Sequence, residues 1–137
     1  MKHYFRAILP LVLVALFGCG GSLVSVKGTA TRGGQPLKNL RITFVPDKGP
    51  PSSADTDDQG GFELTCANQG KGAVPGKHKV TAQLMPRGSQ QEMDVASGKL
   101  LLHPDQKQIN DKYGKIDATP MSVEITQAES NLELKFD

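Results

Sequence analysis

From Val24 onward the chain alternates apolar and polar residues in short runs. Val24 and Val26 flank Ser25; Leu40, Ile42 and Phe44 alternate with Arg41 and Thr43; Phe62 and Leu64 flank Glu63. Val80, Ala82 and Leu84 alternate with Thr81 and Gln83, Val123 and Ile125 flank Glu124, and Leu132, Leu134 and Phe136 alternate with Glu133 and Lys135. A period of two places apolar side chains on one face of a strand and polar ones on the other. Antiparallel sheets with one buried face carry this pattern. Gly- and Pro-bearing turns separate the runs at 32–36, 46–53, 57–60 and 74–76. The pattern predicts an all-β, antiparallel β-sandwich of about seven strands. The short polar link at 128–131 predicts that segments 121–127 and 131–137 form a hairpin.

The stretch from Met85 to Thr119 breaks the alternation. It is polar and Gln-rich, with one apolar cluster at Leu100, Leu101 and Leu102. A structureless loop of this length is unusual inside a compact domain, so it is functional or partly ordered. A strand over 99–103 and a helical turn over 106–113 are expected there.

The first residues have a different logic. Lys2 and Arg6 open the chain, an apolar run follows from Ala7 to Phe17, and Gly18 precedes Cys19. A basic start, a short apolar run and a small residue at the cut make up a secretory leader. The run is about half the ~20 residues that a spanning helix requires. Leu16, Gly18 and Cys19 resemble the lipid-attachment signature of bacterial lipoproteins, although Phe17 is bulkier than is usual there. The expectation is a leader over 1–18 and a lipid-anchored tether over 19–23, with Cys19 carrying acyl chains such as palmitate. Several acyl chains on one residue anchor stably where a single chain is marginal. Gly20 rather than Asp follows the Cys, and by the same resemblance this favours the outer over the inner membrane.

Removing the leader changes the charge. The whole chain carries +2, but Lys2 and Arg6 are its only charged residues before Cys19, which leaves 14 basic against 14 acidic. No basic excess points to nucleic acid. Trp is absent, so a stacking platform for bases or sugars is poorly supplied. With Cys19 lipidated, Cys66 has no disulfide mate and reads as a small buried hydrophobe at a strand end.

The turn motifs occur in a recognisable order. Gly28, Gly34-Gln35-Pro36-Leu37 and Ile42-Thr43-Phe44-Val45-Pro46 come first. Thr56-Asp57-Asp58-Gln59-Gly60-Gly61-Phe62-Glu63-Leu64 and Gly72-Ala73-Val74-Pro75-Gly76-Lys77-His78-Lys79-Val80 follow. Together they resemble the carboxypeptidase regulatory-like domain, a transthyretin-like (prealbumin-like) β-sandwich, over nearly all of 24–137. His78 stands where that family has Tyr, and Asn110 where the related lipoproteins have Pro. The resemblance implies an accessory or scaffold role without chemistry of its own. Gly60, Pro75 and Gly76 read as structural turn positions, and Asp57 as a turn cap.

The candidate chemistry is sparse. Asp55, Asp57 and Asp58 precede Gly60 like the start of a calcium loop, but Cys66 falls where a helix–loop–helix site needs a bidentate Glu. An acidic turn is the simpler reading; at most a surface calcium site is expected. His78 and His103 are the only histidines after Cys19, too few for a zinc peptidase ligand set. The tail lacks the Tyr-Arg-Gly-Ser ending of the transthyretin-like purine hydrolases. The expectation is therefore no catalytic residue and no cofactor. The chain reads as a non-enzymatic module on the cell envelope that meets a glycan or another envelope protein through the loops 47–58 and 85–119. The alternative is an accessory or vestigial hydrolase, which would need His78 or His103 beside a carboxylate in a cleft.

Overall fold

Leu40, Ile42 and Phe44 are fully buried while Arg41 between them is exposed, and His78, Val80, Ala82 and Leu84 repeat the pattern. These residues belong to β3 (Leu40–Pro46) and β8 (Gly76–Leu84) of a computed structural model that describes residues 22–137. The leader expected over 1–18, and Cys19, lie outside the described residues. β3 and β8 pair antiparallel from Leu40 opposite Leu84 to Pro46 opposite His78. They form the middle of a six-stranded sheet. β4 (Ser52–Asp55), β6 (Thr65–Cys66) and β7 (Gly70–Lys71) extend it on one side, and β9 (Ser122–Ile125) ends it on the other.

A second, smaller sheet is built around β1 (Val26–Arg32). β2 (Gln35–Pro36) and β5 (Gly61–Glu63) pair with one side of β1, and β10 (Glu129–Lys135) with the other. Val26, Ala30, Phe62, Leu134 and Phe136 on its inner face share one core with Leu40, Ile42, Phe44 and Val80 of the large sheet. The molecule is an all-β sandwich.

Gly28 sets how closely the small sheet packs. A Cβ there would lie 2.1 Å from the Leu132 carbonyl oxygen and 2.8 Å from the Phe62 ring, so only glycine fits. Gly60 has φ 74, and a Cβ on it would lie 2.5 Å from the Ala30 carbonyl oxygen. Both close approach and left-handed backbone require glycine at this turn.

Three expectations are corrected. The described residues contain ten strand segments rather than about seven, because turns such as Gly33–Gly34 cut off ladders of only two or three residues. The segments 121–127 and 131–137 do not form a hairpin: β9 pairs with β8, and β10 crosses to β1. That last pairing is parallel, whereas the other pairings among the described residues are antiparallel. Both strands bury one face against the same core, so their alternation does not say which sheet each joins. Finally, no strand forms over 99–103, where Leu101 is 69% exposed.

The polar stretch is nevertheless ordered. It holds α1 (Gly88–Ala96), which buries no residue, and α2 (Gln106–Tyr113), which was expected and buries Ile109 and Tyr113. These two lie four apart and therefore on one helix face. The Asn110 carboxamide oxygen accepts the Leu84 backbone N–H at 2.8 Å, and the Tyr113 hydroxyl donates to the Asp137 carbonyl at 2.8 Å. α2 thus joins the end of β8 in one sheet to the chain just past β10 in the other.

Candidate functional site

Alternation on the small sheet turns Lys27 and Thr29 of β1 outward, together with Glu133 of β10 and Glu63 of β5. With Asn131 and the turn residue Asp57 they surround a trough of about 620 Å³ on the outer face of the sandwich. The β10 register slips between Glu129 and Leu132, so that both Ser130 and Asn131 line the trough. A bulge of this kind re-aims side chains at a sheet rim.

The trough is acidic, and most of its carboxylates already have partners. Arg41 donates two hydrogen bonds to Asp55, at 2.8 and 2.9 Å. This contact is the main reason the Asp55 carboxyl is held below its ordinary value, against the opposing effect of partial burial. Asp57 Oδ1 accepts the backbone N–H groups of Gln59 and Gly61, at 2.9 and 2.8 Å. Glu63 lies 3.9 Å from Lys27 and 3.6 Å from Lys71. Among the described residues Glu133 takes part in no ion pair.

The three aspartates considered for calcium are not brought together as ligands. Asp55 faces Arg41, Asp57 holds the turn, and Asp58 is exposed with Arg87 4.0 Å away. Among the described residues no group of three or more His, Cys, Asp or Glu is placed to hold a metal ion. Pro75 lies in the bend before β8, and Gly76 opens that strand with φ 132. Cys66 is free and buried at the end of β6.

The histidines stand apart from the trough. His78 is 1% exposed and packs at 5.7 Å on the Phe44 ring. Its Nε2–H donates to the Val74 carbonyl at 2.8 Å, which leaves Nδ1 buried without a partner. His103 Nδ1 accepts the Asp105 backbone N–H at 3.0 Å. Neither forms an ion pair with a carboxylate among the described residues. His78 fills a core position on β8 against Phe44.

Of the two loops expected to carry contacts, 47–58 contains β4 and supplies Asp55 and Asp57 to the trough, while 85–119 contains both helices. Sequence reasoning missed Asn131 and Glu133, because polar residues at outward positions look like ordinary solvent-facing ones. It also missed Arg32, which donates to Asp105 at 2.8 Å, to Gln108 at 3.2 Å and to the Phe136 carbonyl. Comparison of the chain with protein-family models, with curated proteins and with solved structures finds no match.

Proposed function

We propose that this chain is a non-enzymatic binding module of the cell envelope, held on the membrane, preferably the outer one, by lipid on Cys19. In this reading 24–137 is a transthyretin-like, carboxypeptidase regulatory-like sandwich that presents its outer face to a partner. The trough is the observation that carries the proposal. It is concave and set on strands; the Glu133 carboxylate is in no ion pair among the described residues, and the Asn131 amide, whose Nδ2 donates to Ser130 Oγ at a long 3.5 Å, keeps a second N–H and its oxygen to meet hydroxyl or ammonium groups. Such groups belong to an envelope glycan or to the basic side chains of an envelope protein. The hydrolase alternative finds less support, because His78 is spent in the core and His103 on its own loop.

Two measurements test the reading separately. Replacing Cys19→Ser should move the protein from the membrane to the soluble fraction; continued membrane association overturns the anchor. Retention of the full chain on purified envelope glycan should fall in the Glu133→Gln, Asn131→Ala double variant. Equal retention removes the trough as the glycan-contacting surface.

A further inference from the structure

A second cavity opens where the chain enters β3, leaves β8 and enters α1. It holds about 180 Å³, less than the ~300 Å³ at which pockets for drug-sized ligands begin. Asn39, the residue before β3, lines it. Asn39 is 7% exposed, and its backbone carbonyl accepts the Met85 N–H at 2.8 Å. Its carboxamide makes no hydrogen bond among the described residues. Ser52 Oγ and His78 Nδ1 also lack partners, but they are sealed from solvent, whereas the Asn39 amide keeps access to the cavity. A buried amide left unsatisfied by its own chain is costly, and this one is open to a polar group from outside.

Four charged side chains line the same cavity, and they are unequally engaged. Arg41 and Asp55 hold each other through two hydrogen bonds and together are neutral. Arg87 has a loose partner, Asp58 at 4.0 Å, whose side chain is 82% exposed. Glu92 of α1 is in no ion pair among the described residues, with Arg87 or with any other cation. One available cation and one available anion therefore border one small space. Met85 and Pro86 add an apolar wall to it.

We propose that this cavity binds a free amino acid with an apolar side chain, in its zwitterionic form. Arg87 and the Asn39 amide take the carboxylate, Glu92 takes the ammonium, and Met85 and Pro86 cover the side chain. A guanidinium matches a carboxylate with parallel N–H bonds. A zwitterion answers both available charges. A simple anion would leave Glu92 unanswered, and a phosphate would add its charge beside Asp55 and Glu92. The end of a peptide carries only one of the two charges. No aromatic residue lines the cavity, so a quaternary ammonium has no ring face to rest on. A primary ammonium donates hydrogen bonds and suits a carboxylate. Neither Glu133 nor Asn131 belongs to this site, which stands or falls independently of the trough.

Calorimetric titration of the detergent-solubilised full chain with L-alanine, L-valine and L-leucine tests the site. At least one should bind. The N-acetyl derivative of that amino acid lacks the ammonium and its amide derivative lacks the carboxylate. Each should bind about tenfold more weakly or worse, the usual effect of losing a hydrogen bond to a charged group. Glu92→Gln and Arg87→Gln should weaken binding of the parent amino acid to a similar degree. Asn39 has φ 58, so Asn39→Gly keeps the left-handed backbone and removes only the amide. This variant should keep the parent's circular dichroism and bind severalfold more weakly. No binding by any of the three amino acids overturns the proposal. So does an N-acetyl or amide derivative that binds as tightly as the amino acid, or full affinity in the Glu92→Gln or Arg87→Gln variant.

Discussion

The ring of Tyr113 meets the ring of Phe136 edge-on, with centroids 5.0 Å apart and planes at 86°. Residues from the polar stretch and from the last strand thereby close one edge of the core. Arg32 ties the same corner together by donating to the carbonyl of Phe136 and the carboxylate of Asp105. Tyr113→Phe keeps the ring contact and loses the hydroxyl bond to Asp137, so it should cost about 1 kcal/mol. Tyr113→Ala also opens a cavity beside Phe136 and should cost about 3–5 kcal/mol. Urea unfolding followed by circular dichroism measures both; equal costs would mean that the ring contact contributes little.

Gly28 is the least replaceable small residue of the small sheet. A methyl group there meets the Leu132 carbonyl oxygen at 2.1 Å, and backbone, unlike a side-chain tip, cannot swing aside. Gly28→Ala should destabilise by about 3 kcal/mol or more, the upper range of overpacking. A melting temperature unchanged from the parent would show that β1 and β10 are not packed this closely.

The Arg41–Asp55 pair makes a small contribution to stability that depends on pH. Its hydrogen bonds hold the Asp55 carboxyl below 3.8 in the folded protein. A carboxyl depressed by folding stabilises at pH above its unfolded value, and the contribution is lost as the pH falls through the folded value. Both side chains are 51% exposed, so solvent screening limits the pair to less than about 1 kcal/mol. Asp55→Asn should be slightly less stable than the parent at neutral pH, and the gap should close in strong acid. A gap that widens on acidification would contradict the pairing.

Asp57 serves the turn before β5. Its Oδ1 already accepts two backbone N–H groups. Asp57→Ala should cost about 1 kcal/mol in calcium-free buffer, a typical net value for such bonds. Calorimetric titration of the parent with calcium should show no tight site; submicromolar binding would restore the metal reading of Asp55, Asp57 and Asp58.

The core strands were legible because alternation is local. Leu40, Ile42, Phe44, Val80, Ala82 and Leu84 are buried as their period of two implies. Helix α2 was legible at Gln106–Tyr113, but α1 was not, since it buries nothing and leaves no apolar stripe. The trough was hidden for the opposite reason. Thr29, Asn131 and Glu133 occupy polar, outward positions, and nothing in their order along the chain shows that β10 crosses over to lie beside β1.

Sequence by itself determined which side chains face inward, where glycine must relieve the backbone, and that 14 acidic and 14 basic residues balance once the first two cations are set aside. It is also the sole ground for expecting lipid on Cys19. Tertiary structure alone decided which sheet each strand joins, which acids face a cation, and which edge stays open. Strand alternation is set by neighbours two residues apart. Pairing is set by packing between segments about a hundred residues apart, as in Val26 against Glu129, and no local pattern encodes that choice.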